Sequence, residues 1–239
     1  MSMSDQWMTI DLGPHILAIQ SFGGSSPAPY GVFNLGFHVG DQDLRVIENR
    51  LQLKARFGTP VYFPEQVHGN RVIEFNGDEQ LIQADAVVTK MIDRPVGILT
   101  ADCLPVLFAS QGQVGVAHAG WKGLVSGVLE NALATFPEAG HVTAWLGPCI
   151  GPSAFEVGPE VVDAFVSREP CWTRYFRPSG RCDHYFADLK SIALEVLENM
   201  QIGSIKQLDE CTYTESSRWY SYRRDGVSGR MATCIMLTE

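Results

Sequence analysis

Three side chains of the kind that hold a soft metal ion or do nucleophilic chemistry stand at the ends of separate apolar stretches: His68 in EQVHGN, Cys103 in TADCLP and His118 in VAHAGWKG. Residues 97–109 and 113–117 read as two short apolar runs joined by a Ser-Gln-Gly turn and closed by Gly-Trp-Lys-Gly. Cys103 interrupts the first run beside Asp102, and His118 ends the second. His68 precedes a Gly-Asn turn after another apolar run. Donors at the ends of different strands can converge without any local spacing rule, so the set points to a catalytic constellation and not to a zinc finger.

A thiolate and two neutral imidazoles suit zinc, and three protein ligands leave a fourth tetrahedral position for water or substrate. The same atoms support a second chemistry, with Cys103 as nucleophile and His118 as its base. A structural metal is the third reading, although such sites usually close with four ligands. Spacing alone does not separate them. Gln66 lies two residues before His68 and shares its face if the segment is extended. On such a strand Asp102 points away from Cys103. Arg223 and Arg224 form the one compact cationic pair, either an anion clamp or a pair of surface salt bridges. Asn34 and His38 sit between glycines in GVFNLGFHVGD, where His38 reads first as a loop residue. The candidates are therefore Cys103, His118 and Arg223 for catalysis, Asn34, Gln66 and Arg224 for substrate binding, and His68, Cys103 and His118 for a metal.

The elements that position these groups follow from periodicity. Residues 16–21, 61–63, 71–75, 84–89 and 142–146 read as strands, as do 219–223 and 230–237 around an Arg-Asp-Gly turn. Leu44, Ile47, Leu51 and Leu53 recur at helical spacing up to Phe57-Gly58, with Asp41 or Asp43 as the cap. Leu124 to Phe136 gives one continuous helical period directly after His118, residues 159–166 a further helix, and Asp188 caps a helix running to Met200. Residues 167–184 read as an irregular loop, and Cys149 in GPCIGP as a packed thiol.

The chain has 239 residues, 45% of them hydrophobic, enough to bury a substantial core in a single domain. A net charge of −9 excludes a concentrated basic surface for nucleic acid and favours a small-molecule partner. No stretch is long and apolar enough to span a membrane, and the first residues lack the features of a signal peptide, which predicts a cytoplasmic protein. The six cysteines show no C-x-x-C spacing and are read as reduced. There is no internal repeat, P-loop, G-x-G-x-x-G or H-E-x-x-H.

In order along the chain, QVHGN, ADAVVT, TADCLPVLFA, VAHAGWKG, WLGPCIGPSAFEVG and CTYT with SYRRD closely resemble the bacterial laccase-domain or multicopper polyphenol oxidase family. That family is also described as purine nucleoside phosphorylases and, in one branch, as peptidoglycan editing factors. The resemblance implies one α+β domain over 1–239, with packed mixed β-sheets and outer helices, similar to cysteine hydrolases. It implies a zinc centre on His68, Cys103 and His118. The implied activity is phosphorolysis of adenosine, inosine, guanosine and methylthioadenosine, with adenosine deamination beside it. Its partners are then a purine nucleoside and phosphate. Alternatives are a cysteine amidase editing peptidoglycan precursors, or the polyphenol oxidase of the family name. Copper is disfavoured: a multicopper centre needs many imidazoles, commonly as H-x-H, and this chain has six histidines and no such pair. Family members typically carry Thr-Arg before the Gly-Gly at 23–24, where Ser21 stands in place of the arginine.

Overall fold

The computed structural model describes residues 6–24, 29–78 and 80–239. In chain order its strands are β1 (Trp7–Ile10), β2 (Ile16–Ser21), β3 (Val72–Glu74), β4 (Ala86–Thr89), β5 (Val96–Thr100), β6 (Leu104–Ser110) and β7 (Gln113–Ala119). They continue with β8 (Thr143–Leu146), β9 (Glu156–Val157), β10 (Phe176–Pro178), β11 (Tyr185–Ala187), β12 (Ser204–Gln207) and β13 (Met231–Leu237). The α-helices are α1 (Asp43–Phe57), α2 (Trp121–Val125), α3 (Val128–Leu133), α4 (Pro159–Arg168), α5 (Leu189–Asn199) and α6 (Tyr222–Asp225).

A six-stranded mixed sheet of order β12-β8-β6-β7-β4-β3 lies against a four-stranded antiparallel sheet of order β1-β2-β13-β5, and β10-β11-β9 form a small third sheet. The pleat explains the layering, because successive residues of a strand face opposite sides. Val106 and Phe108 of β6 join Leu129, Leu133, Ile192 and Val196 of the helices. Leu107 and Ala109 join Ala18, Ile98 and Ile235 of the four-stranded sheet. The outer face of that sheet is covered by α1 through Ile19, Leu53, Phe57 and Cys234. Strands buried on both faces read as continuous apolar runs, which is why β4 to β7 show no polar alternation. This is the expected α+β architecture of packed mixed sheets with outer helices.

Several sequence expectations change. Residues 97–109 are not one strand: they split into β5 and β6, which belong to different sheets, at Asp102, whose φ is +96°. The helix after His118 breaks into α2 and α3 at Gly127, with φ +90°. Residues 219–223 are not a strand, since Ser221 caps α6 by accepting from the Arg224 N–H. In α1 the buried face is Val46, Asn49, Leu53 and Phe57, whereas Leu44, Ile47 and Leu51 are exposed, and Gln42 occupies the cap position without a side-chain bond. The irregular stretch 167–184 contains a 3-10 helix, Pro170–Tyr175, followed by β10. No helix among the described residues is long and apolar enough to cross a membrane.

Candidate active site

The β6–β7 hairpin sets the geometry. Its register pairs Leu104 with Ala119 and Pro105 with His118, so Cys103, one residue before β6, arrives opposite Gly120. On the other side of β7, Ala86 of β4 pairs with Ala117, and the His118 N–H donates to the Asp85 carbonyl at 2.7 Å. Asp85 therefore stands beside His118.

The Asp85 side chain is fully buried and organises the site. One carboxylate accepts from the backbone N–H groups of Val67 at 3.2 Å, His68 at 2.9 Å and Gly69 at 2.6 Å, and meets His118 Nδ1 at 2.8 Å. These bonds hold His68 in the left-handed region, φ +59°. A carboxylate only accepts, so Nδ1 of His118 carries a proton and Nε2 is the nitrogen left for the cleft, where a metal ion would take the place of its proton. Burial opposes ionisation of Asp85, but His118 and the N–H groups of Gly69 and Val67 more than offset it and hold the carboxyl below its ordinary value.

His68, Cys103 and His118 bring their donor atoms within 4.8 Å of one another, and the two imidazole rings lie edge to face with centroids 4.8 Å apart. Burial disfavours the Cys103 thiolate, yet His118 and His68 outweigh it and bring the thiol down to about 6. Burial likewise disfavours imidazolium at His118, while the Cys103 thiolate and Asp85 raise it to about 9. Tetrahedral zinc would hold such donors about 3.3–3.8 Å apart, a short adjustment from the observed grouping. A thiolate, two imidazoles and a carboxylate behind one of them form a donor set suited to a metal ion.

The cluster lines a cleft of about 990 Å³, with His118 buried and His68 exposed. Phe37, Phe63, Phe155 and Tyr222 give it aromatic walls, and Arg50, Arg223 and Arg230 give it positive charge, with His38 also in the lining.

The model of the multi-copper polyphenol oxidoreductase laccase family matches residues 15–238. The chain belongs to this family. Among relatives, the Haemophilus influenzae purine nucleoside phosphorylase is 42% identical over 92% of this chain and 93% of its own. The Escherichia coli purine nucleoside phosphorylase YfiH is 43% identical over 90% of each chain. A crystal structure of a Neisseria meningitidis protein superposes with a TM-score of 0.92 at 35% identity, covering 98% of this chain and 100% of its own. Among the described residues, the His-Cys-His set is the one cluster of three or more potential donors, against the several imidazole-rich centres that the family's multicopper name suggests.

The other residues singled out by sequence separate within this family scaffold. Gln66 lines the cleft, but its amide is used on β5: it donates to the Leu99 carbonyl at 2.9 Å and accepts from the Leu99 N–H at 2.8 Å. Arg223 also lines the cleft, where it is exposed and donates to the Glu156 carbonyl at 2.6 Å. Its neighbour Arg224 does not line the cleft, because it bonds the carbonyls of Thr212 at 2.7 Å and Trp219 at 3.1 Å and pairs with Asp225 at 2.8 Å. Of the two readings of the arginine pair, the geometry carries salt-bridge and carbonyl bonding for Arg224 and leaves only Arg223 on the cleft. Asn34 is fully buried outside the cleft, bridging the Gly36 N–H, the Arg230 N–H and Asp41. Asp102 lines the cleft next to Cys103, accepting from Thr212 Oγ1 at 2.6 Å and the Arg223 N–H at 2.7 Å. Its left-handed backbone replaces the extended one expected. Cys149 is buried and burial pushes its thiol up to about 12, as a packed cysteine requires.

Asp85, Arg50 and Arg230 were not singled out by sequence. Asp85 had a signal, an acid between two alanines at the head of a wholly buried strand. Arg50 had a weaker one, following the buried Asn49 on α1.

A side chain at Gly120 would crowd two of the donors. A Cβ there would stand 3.0 Å from Cys103 Sγ and 3.4 Å from His68 Cδ2, although φ of −63° is open to any residue. Gly120→Ala is expected to lower metal affinity about tenfold with little change in melting temperature, measured by competition with a chromophoric chelator. Unchanged affinity would mean that the thiol moves aside freely.

Proposed function

We propose that this chain is a zinc-dependent purine nucleoside phosphorylase acting on adenosine, inosine, guanosine and methylthioadenosine, with adenosine deamination as a side activity. The observation that carries the reading is the His68, Cys103 and His118 donor set lining a cleft large enough for a nucleoside, with aromatic and cationic walls. The relatives named purine nucleoside phosphorylase support the substrate class. The donor set of one thiolate and two imidazoles suits zinc.

When bound, zinc would supply a compact positive charge that polarises an oxygen ligand or binds an anionic one. The chain's own residues do the rest. His68, Cys103 and His118 hold the ion, Asp85 fixes the tautomer of His118, and Asp102 anchors α6 so that Arg223 faces the cleft. Phe63, Phe155 and Tyr222 offer flat apolar surfaces to a purine. In the reaction an oxygen of hydrogen phosphate bonds to the anomeric carbon as the glycosidic bond breaks. The bonding pair leaves with the purine, and the phosphate proton ends on the base. Charge develops on a ribosyl centre with oxocarbenium character, so positioning of the anion and of the leaving base is the main task of the site.

Incubating the purified protein with inosine should give no hypoxanthine without phosphate and a saturable release with it. Release that ignores phosphate would replace phosphorolysis by hydrolysis. One observation favours a second reading. Cys103, His118 and Asp85 also form a thiolate, imidazole and carboxylate series, the arrangement of a cysteine amidase acting on peptidoglycan precursors. That reading requires thiol alkylation to abolish activity on a muropeptide while chelation leaves it intact.

A further inference from the structure

Two arginines in the cleft lack an acidic partner. None of the ion pairs among the described residues includes Arg50 or Arg230. Both are half-buried. Withdrawing a guanidinium from water without a counter-charge costs free energy, and burial lowers the proton affinity of both groups.

Both are also held in place. Arg50 on α1 donates through Nε to the Leu35 carbonyl at 2.9 Å, and its guanidinium is set between the rings of Phe37 at 4.6 Å and Phe63 at 4.8 Å. Its Nη1 and Nη2 atoms bond to no described residue, so the donor fork is free. Arg230, just before β13, uses Nη1 on the carbonyls of Ser228 at 2.9 Å and Gly229 at 3.0 Å, which leaves Nε and Nη2 free among the described residues. Arg230 lines the same cleft as the donor cluster, with its guanidinium over the Tyr222 ring at 5.8 Å. His38 lies in the same cleft, and burial, then Arg230 and Arg50, lower its proton affinity. A Cβ on Gly36 would stand 2.8 Å from Arg230 Cγ and 3.5 Å from His38 Cε1, and Arg50 lies over Phe37, so the two arginines and His38 gather around residues 36–38.

Arg223 is a poorer candidate for this role, being exposed and already bonded to Glu156. Ser21, at the position of the family arginine, buries its hydroxyl and accepts from the Ala232 N–H at 2.8 Å. It contributes backbone anchorage next to Arg230 and no charge.

We infer that Arg50 and Arg230 form the anion subsite of this cleft, each donating to oxygens of the phosphate that attacks the nucleoside, with His38 beside them. The identity of the anion rests on the phosphorolytic reading; the cationic subsite itself does not. Paired guanidinium donors fit a tetrahedral dianion better than a single exposed arginine can.

The test measures phosphate and inosine KM for Arg50→Gln and Arg230→Gln, with Lys54→Gln on the exposed side of α1 as control, and titrates each protein with inorganic phosphate alone. Each glutamine variant should raise the phosphate KM by about tenfold or more while the inosine KM moves less than about threefold. Lys54→Gln should match wild type. Arg50 also ties α1 to Leu35, so melting temperatures accompany the kinetics, and Arg50→Lys and Arg230→Gln carry the test if Arg50→Gln does not fold. Unchanged phosphate KM and binding in the folded variants overturns the subsite. If wild type binds inorganic phosphate, loses it in the glutamine variants and yet cleaves no nucleoside, the subsite stands and the phosphorolytic reading fails.

Discussion

Cys103→Ala is expected to reduce the metal content from about one ion per chain to below about a tenth. Phosphate-dependent base release should fall about a thousandfold or more, as loss of several kcal/mol of charge stabilisation implies. The fold should survive. Cys103 lies between β5 and β6, outside both strands, and is only partly buried, so a methyl group in its place leaves a small, solvent-accessible gap. The variant removes a donor and also the charge that raises His118, so His118 returns toward its ordinary proton affinity. Metal analysis and kinetics on the same preparation check the result. Chelation of the wild-type protein decides the cause. A chelated enzyme as inactive as the variant, restored by added zinc, assigns the loss to the metal. A chelated enzyme that keeps full activity makes the thiol itself the reacting group and moves the function to the amidase chemistry.

What the sequence makes legible depends on how local the cause is. His68, Cys103 and His118 are recognisable because soft donors at the ends of apolar runs have few other reasons to be there. The hairpin that joins two of them follows from Gln111-Gly112 between apolar strands, with Gly112 at φ +81°. Asp102 is not legible. The apolar pattern runs through it, and the break between sheets is made by partners far along the chain, Thr212 and Arg223. The arginine pair fails for a different reason. Successive residues on a helix diverge by about 100°, so once 222–225 form α6, Arg223 and Arg224 cannot face one anion. Helix α1 presents the reverse trap. Leu44, Ile47 and Leu51 imitate a core face while exposed, and the side that carries Arg50 toward the cleft is fixed by Leu53 and Phe57 packing on the four-stranded sheet. Arg230 is placed by its bonds to Ser228, Gly229 and, through its N–H, Asn34, a set that forms only when residues 34 and 230 meet. Asn34 thus shapes the cleft from behind without lining it.

Asp85→Asn should be the most damaging substitution that leaves every metal donor in place. The carboxylate receives four hydrogen bonds, from three consecutive backbone N–H groups and from His118 Nδ1. An amide offers one oxygen and a donating NH₂, so at least one buried N–H or the imidazole N–H must lose its partner. Each loss costs about 1–3 kcal/mol, and the charge-assisted character of the original bonds adds to it. A total of about 2–5 kcal/mol corresponds to a fall in melting temperature of roughly 5–15 °C for a chain of this size. The left-handed backbone of His68 depends on the same bonds, and His118 is free to adopt the other tautomer, so metal affinity should also fall, by about 10- to 100-fold. The electrostatic part of the stability gap has a definite pH dependence. The folded-state carboxyl titrates below its unfolded value of 3.8, so that part is fully present above 3.8 and is lost as the pH falls through the lower folded value. Thermal melts at several pH values, together with chelator competition, separate the two effects. A variant that melts with the wild type and retains its metal would show that the 67–69 turn and His118 are held by the surrounding strands alone, and Asp85 would lose its place as the positioning residue of the site.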